Sequence, residues 1–275
     1  MATIRTLCLL LAISLLSACS WLPKEEDKTR NWSASKFYAE ASEAMKERDY
    51  ELAIEYYEKL EARYPFGRYA TQAQLDVAYV YYQYDEPESA LAALDRFIKL
   101  HPRSSHVDYA YYMKGIVNFN RSMGFVDRFV PTDVSQRDAG AAIDSFDDFS
   151  ELVRKFPASK YSQDARKRLL YLRNNIAKHE VHVANYYLDR GAYLAAANRC
   201  VYVVENYQRA PAVREALQTM AKAYDKLGLD TLSADARRVL AVNEAQGKFD
   251  YLDEKGADSA PLGRKVWEYL ELDEN

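Results

Sequence analysis

The chain has 275 residues, of which 49% are hydrophobic and 28% charged, and this composition indicates a folded protein rather than a disordered one. Nine glycines against 23 tyrosines disfavour a fold of many short strands and favour helices. A formal net charge of -4 argues against an extended phosphate-binding surface, so nucleic acid is not expected as a partner.

The first 18 residues have the features of a bacterial export signal. Arg5 supplies positive charge, and residues 7–16 are almost entirely apolar. At a rise of about 1.5 Å per residue, this run spans only about half of a membrane's hydrocarbon core, which is too short for a transmembrane helix. It ends in Leu-Ser-Ala-Cys at residues 16–19, the pattern at which a peptidase cleaves before a cysteine that carries diacylglycerol. We predict a signal peptide at 1–18 and lipidation at Cys19; the alternative is an ordinary signal that ends near a cysteine.

The residues after Cys19 predict where the protein resides. Ser20 follows it, and no aspartate is present there to signal retention in the inner membrane, so we expect the periplasmic side of the outer membrane. Residues 19–31 are polar, charged and contain Pro23, and are predicted to be a tether. Because Cys8 lies in the removed signal, Cys200 has no partner for a disulfide within the mature chain, and we predict a buried, small hydrophobic role for it.

Four segments end alike, at residues 63–65, 100–102, 155–157 and 206–208. A small residue lies twelve positions before each end and a larger, mostly apolar one lies eight before it: Ala53, Ala90, Ser145 and Ala196, then Tyr57, Leu94, Phe149 and Cys200. This pattern is typical of the second helix of a tetratricopeptide repeat, where the small residue lets two helices approach. We predict an all-α superhelical solenoid of about five helix-pair repeats over residues 32–245. The last repeat, 212–243, is broken at Gly228 and has Ser233 in the small position.

Three stretches depart from the repeat length. Between Asn120 and Asp138, glycine and proline without helical periodicity predict an extended loop. Residues 161–190 contain neither, and predict one or two helices. Residues 246–275 do not continue the repeat, and are predicted to be an acidic tail that ends in a short amphipathic helix at 266–272.

Several motifs within this pattern carry a family resemblance. They are Arg-Tyr-Pro-Phe-Gly at 63–67, Asp-Arg-Phe-Ile at 95–98, residues 108–115, Phe-Asp-Asp-Phe at 146–149, and residues 183–199 with the pair Asn198-Arg199. Together they resemble the BamD (ComL) family of lipoproteins, which belong to the β-barrel assembly machinery of the outer membrane. The resemblance covers about residues 33–245 and is specific, because a generic repeat would share neither the Tyr-Pro-Phe-Gly corner nor the Asn-Arg pair.

The resemblance implies a five-repeat scaffold held to the membrane by its lipid. Its C-terminal repeats would bind the periplasmic domains of BamA, and its N-terminal repeats would receive the C-terminal signals of unfolded β-barrel proteins, with other Bam lipoproteins as further partners. The residues implied for BamA are Arg199, Arg190 and Asn198. Those implied for the substrate peptide are Tyr64, Pro65, Phe66, Gly67 and Tyr69.

No sequence motif indicates catalysis. The chain lacks the GxSxG, GxxxxGK[ST] and GxGxxG patterns, so we expect no enzyme, cofactor or metal site. Eight basic residues against one acid over residues 154–178 predict either a docking face for an acidic partner or a solvated face. The alternative function is a different periplasmic repeat lipoprotein, which would scaffold peptidoglycan enzymes or a secretion apparatus.

Overall fold

A computed structural model describes residues 27–127 and 139–249. The predicted signal peptide, Cys19 and the tail from residue 250 lie outside these ranges. Within them the chain forms ten α-helices and no strand. They are α1 (Ala34–Lys46), α2 (Tyr50–Arg63), α3 (Arg68–Gln83), α4 (Pro87–Leu100), α5 (Val107–Asp127), α6 (Gly140–Lys155), α7 (Ser162–Asp189), α8 (Tyr193–Asn206), α9 (Val213–Lys226) and α10 (Asp230–Ala245).

The helices form a chain of antiparallel pairs. Each helix packs against the one before and the one after it in sequence, and the first helices of neighbouring pairs also touch, as α1 does with α3, α3 with α5 and α7 with α9. Contacts limited to neighbours are the property that defines a solenoid. The prediction of an all-α solenoid with five helix pairs is therefore confirmed.

The second helices explain why the sequence repeats. α2, α4, α6 and α8 end at residues 63, 100, 155 and 206, as the pattern predicts. All eight small and large positions are completely buried: Ala53, Ala90, Ser145, Ala196, Tyr57, Leu94, Phe149 and Cys200. The hydroxyl of Ser145 donates to the carbonyl of Gly115 at 2.9 Å, so the one polar side chain in the small series is satisfied.

The structure describes all of one atypical stretch, residues 161–190, and the first part of another, residues 120–127. The extended loop predicted from Asn120 is wrong for its first part, because α5 continues to Asp127; residues 128–138 lie outside the described ranges. A single glycine such as Gly124 costs a helix only about 1 kcal/mol, which the packing of α5 against α4 and α6 outweighs. Residues 162–189 form one helix of 28 residues, which resolves the choice left open by the sequence.

The interior consists of two main apolar clusters that meet at α5. Val117 belongs to the cluster of the first two pairs, and Phe119 to the cluster that continues to the C-terminal pairs. Phe249, after α10, is buried in the second cluster. No helix in the described part of the chain is both long and apolar enough to cross a membrane.

Candidate functional site

Arg199 on α8 forms an ion pair with Glu180 on α7. The distance from Nη1 of Arg199 to Oε2 of Glu180 is 2.9 Å. The two side chains differ in exposure, since 7% of the Glu180 side chain is accessible against 45% of the Arg199 side chain. The hydrogen bond to Glu180 raises the pKa of Arg199, so the guanidinium stays charged at any physiological pH. A buried carboxylate thus holds an exposed cation at the surface.

This pair forms part of an open pocket at the junction of α7 and α8. The pocket has a volume of about 500 Å³. It is lined by Glu180, Tyr187, Ala195, Asn198, Arg199 and Tyr202. Two tyrosine rings and the guanidinium of Arg199 surround this concave surface. Tyrosine and arginine side chains combine apolar area with hydrogen-bond donors, so the pocket suits a polar side chain of a protein partner.

Two of the three residues implied for BamA binding line this pocket, and the third lies farther away. Asn198 lines it together with Arg199, whereas Arg190 caps the end of α7. The guanidinium of Arg190 lies 4.6 Å from the ring centroid of Tyr186. The Tyr186 ring in turn packs edge-on against Tyr187, with 5.9 Å between centroids. Arg190 is therefore connected to the rim of the pocket through two tyrosines.

Sequence analysis missed the role of Glu180. It lies 19 residues before Arg199 and on another helix, so no local spacing connects the two. One signal was present, because Glu180 falls at helical spacing between Ile176 and Ala184, both of which are buried. A carboxylate on the buried side of a helix requires a cation or hydrogen-bond donor nearby, and Arg199 supplies it.

The residues implied for the substrate peptide form the corner between α2 and α3. α2 ends at Arg63, and Gly67 precedes α3 with a φ of 105°, a conformation that residues with a side chain rarely adopt. This backbone turn projects Phe66 outward, and 91% of its surface is accessible. Pro65 beside it is also exposed. These two residues form the accessible tip of the corner.

Tyr64 and Tyr69, by contrast, are partly buried and hold the corner to the first pair. The hydroxyl of Tyr64 donates to the carbonyl of Trp32 at 2.7 Å. The ring of Tyr69 lies 5.5 Å from that of Tyr38 on α1, and the guanidinium of Arg68 lies 4.8 Å from the Tyr69 ring centroid. The five residues are close together, but only Pro65 and Phe66 present side chains freely to a ligand.

Further tyrosines join the first helices of adjacent pairs. Tyr38 on α1 donates to Asp76 on α3 at 2.8 Å, and Tyr112 on α5 donates to Asp164 on α7 at 2.8 Å. Burial raises the pKa of Tyr112 to about 12, so its proton is retained near neutral pH. These tyrosines act first as packing and cross-linking residues between repeats.

The basic run at 154–178 is not one solvated face. Arg168 is buried, and its Nε donates to Asp164 at 2.6 Å while the guanidinium lies 4.8 Å from the Phe119 ring centroid. Over the described residues, no three His, Cys, Asp or Glu side chains are arranged to hold a metal ion.

Comparison with known proteins identifies the family. The sequence pattern of a family described as YfiO, outer membrane lipoprotein, matches residues 30–240. The outer membrane protein assembly factor BamD of Neisseria meningitidis (serogroup A, strain Z2491) is 43% identical over 247 residues, which cover 88% of this chain and 92% of the relative. The chain belongs to the BamD family. BamD of Vibrio cholerae is 34% identical over 239 residues, covering 87% of this chain and 98% of that protein.

The BamD resemblance drawn from the motifs is therefore confirmed over most of the chain. Among solved structures, the TPR2AB domain of yeast Sti1 in complex with pHSP90 matches with a TM-score of 0.38 and 15% identity, covering 86% of this chain and 95% of that one. So low a TM-score adds nothing to the helix-pair architecture described above.

Proposed function

We propose that this BamD family member is a lipid-anchored, non-catalytic scaffold of the β-barrel assembly machinery. Its acylated Cys19 would hold it on the periplasmic side of the outer membrane, where other Bam lipoproteins are further partners. Its C-terminal repeats would bind a periplasmic domain of BamA, and its N-terminal repeats the C-terminal signals of unfolded barrel proteins. Relatives that span nearly the same length are named outer membrane protein assembly factors, which supports this role.

The observation that carries the BamA contact is the Glu180–Arg199 pair. Glu180 accepts a hydrogen bond from Nη1 of Arg199, and both residues line the open pocket. A guanidinium fixed in this way binds a partner carboxylate without first losing much side-chain freedom, which strengthens the contact. Asn198 lines the same pocket and supplies an amide for a second hydrogen bond.

The observation that supports substrate recognition is the exposed tip of the α2–α3 corner. The aromatic side chain of Phe66 has 91% of its surface accessible, so nothing in the described chain hinders its contact with a partner. The C-terminal signal implied for barrel substrates is an extended peptide with an aromatic end, and Phe66 offers it ring-to-ring contact.

Charge reversal at Arg199 tests the BamA contact. We expect Arg199→Glu to lose binding to a periplasmic BamA fragment by a factor of at least about 30, since one buried charge-assisted contact contributes about 2 kcal/mol or more. The matched control is Arg96→Glu, because Arg96 also pairs, at 3.2 Å, with a mostly buried carboxylate, Glu61, and its side chain is 53% accessible.

Unchanged binding by Arg199→Glu would refute this contact. Equal losses of affinity in Arg199→Glu and Arg96→Glu would show that the effect comes from net charge. The rival function is a scaffold for peptidoglycan enzymes or a secretion apparatus. It predicts that neither variant alters binding to BamA, because the wild type would not bind that fragment.

A further inference from the structure

Three turns of the solenoid lie at the same end of the helix pairs. Successive helices run antiparallel, so the turns that follow α2, α4 and α6 share one edge. Side-chain contacts tie the second turn to its neighbours. His101 contacts Gln74 on α3 at 2.8 Å, and the hydroxyl of Ser159 donates to Asp108 at 2.6 Å. We call residues 63–68, 99–106 and 154–161 the basic edge.

In the N-terminal half of the solenoid, charge is strongly polarised between the two edges. The basic edge contains no Asp or Glu, and its cations are Arg63, Arg68, Lys99, Arg103, Arg154, Lys155 and Lys160. The turns at the opposite end, 46–51 and 83–88, carry Glu47, Asp49, Glu51, Asp85, Glu86 and Glu88 against Lys46 and Arg48. This separation arises in a chain whose overall charge is negative, so it is a property of the fold rather than of the composition.

Several of these cations project into solvent. Lys99, Arg103 and Lys160 are exposed, and 71% of the Arg154 side chain is accessible although its Nη2 lies 3.6 Å from Glu151. One large apolar side chain, Leu100 with 58% of its surface accessible, projects from the same edge beside Phe66, which the proposed function assigns to substrate peptides. Exposed cations interspersed with isolated apolar side chains are the composition of surfaces that lie on membranes.

The N-terminal end of the described chain lies at this edge. Asp27 contacts Nη2 of Arg63 at 2.8 Å, and Nη1 of Arg63 donates to the carbonyl of Thr29. The predicted lipidation site, Cys19, is eight residues before Asp27. Eight residues span at most about 28 Å even when fully extended, so an acylated Cys19 keeps Asp27 within that distance of the membrane.

We propose that the basic edge binds anionic phospholipid headgroups, so that the solenoid lies with this edge on the membrane; the proposal rests on the anchor proposed at Cys19. A protein partner is the weaker alternative, because stable protein interfaces have an apolar centre depleted of lysine, whereas Leu100 stands alone among cations. Headgroups need no such centre, since each exposed Lys or Arg gains attraction to an anionic surface independently.

The test uses the mature chain from residue 19 with Cys19→Ser, so that no acyl chain contributes. Binding is measured by co-sedimentation with vesicles made of equal parts phosphatidylglycerol and phosphatidylcholine. We expect Lys99→Glu/Arg103→Glu/Lys160→Glu to weaken binding on the order of a hundredfold. The matched control is Lys46→Glu/Lys222→Glu/Lys226→Glu, which makes the same change in net charge with three exposed lysines away from the basic edge, and we expect it to bind like the parent.

Further controls identify what the basic edge binds. Inorganic phosphate at constant ionic strength should leave binding unchanged, since the ligand is an anionic surface, and phosphatidylcholine vesicles should not bind. The proposal would be overturned if the variant with three changes on the basic edge bound as tightly as the parent. Equal losses of binding in that variant and in the control variant would also overturn it. Failure of the parent to bind anionic vesicles, with crosslinks from Lys99 to an acidic protein instead, would replace the membrane with a protein partner. Acylation of Cys19 is measured separately, so its failure is distinguishable from failure of the edge.

Discussion

Glu180 and Arg199 form one ion pair but lie in different environments, the carboxylate buried and the guanidinium nearly half exposed. The carboxylate therefore depends on the arginine more than the arginine depends on it. We expect Arg199→Leu to destabilise the fold by about 1–3 kcal/mol, because Glu180 is left buried without its cation. The double variant Arg199→Leu/Glu180→Gln should recover most of that loss.

Urea denaturation of the parent and the two variants checks this prediction. BamA binding should stay lost in the double variant even though stability returns, which separates the two roles of Arg199. An Arg199→Leu variant as stable as the parent would show that water already solvates Glu180.

Phe66 should matter for ligand binding but not for folding. Since 91% of its surface is accessible, Phe66→Ala should change the free energy of unfolding by no more than about 0.5 kcal/mol. We expect a photo-crosslinker at this position to capture peptides from barrel C-termini, and alanine to reduce their binding. Leu170, with 53% of its surface accessible on α7, is the control site. Equal capture at both positions, or none with several peptides, would contradict substrate recognition at the corner.

Gly115 is required by the close packing of α5 on α6. A Cβ at this position would overlap Cε1 of Phe149, which is completely buried. We expect Gly115→Ala to destabilise the fold by about 1–3 kcal/mol through overpacking. Adding Phe149→Leu should recover part of the loss in the same denaturation experiment, because the smaller side chain removes the clash. Strictly additive losses would contradict this explanation.

The thiol of Cys200 should be unreactive in the native state. Burial raises its pKa from 9.0 to about 12, so the thiolate fraction at neutral pH falls. In the Cys19→Ser mature chain, the labelling rate should rise about tenfold per pH unit with no plateau near pH 9, where an exposed thiol levels off. Denaturant should restore ordinary reactivity. A plateau near pH 9 in the folded protein would show that Cys200 is accessible.

Lipidation at Cys19 remains a prediction, because this residue lies outside the described ranges. We expect Cys19→Ala to abolish acyl labelling and to leave the protein in the periplasm or as an unprocessed precursor. Metabolic labelling with a fatty acid, followed by membrane fractionation, measures both outcomes. Acyl-labelled membrane protein from the alanine variant would rule out the predicted anchor.

The fold was largely predictable from the sequence because the repeat constrains it locally. Ala53 and Tyr57 show why, since a small and a large residue one helical turn apart must both be buried where two helices cross. The prediction of a loop failed for residues 120–127 because a lone glycine is a weak helix breaker when neighbouring helices pack against it.

The candidate sites were less predictable than the fold. Arg199 entered through a family motif, whereas its partner Glu180 and the pocket wall of Tyr187 and Tyr202 depend on how α7 and α8 pack. The basic edge could not be predicted from the sequence either, because it also depends on how the helices pack. Lys99 and Lys160 are far apart in sequence, and only the antiparallel order of the helices brings their turns to one end.

The central claim, that this chain is a scaffold of the β-barrel assembly machinery, is tested most directly by its partners in the cell. The lipidated protein would be solubilised in detergent from its own membranes, affinity-purified, and its co-purifying proteins identified by mass spectrometry. We predict a large barrel protein with periplasmic domains, which Arg199→Glu should lose and Arg96→Glu should retain. Recovery of peptidoglycan enzymes or a secretin in its place would contradict the claim while leaving the solenoid intact.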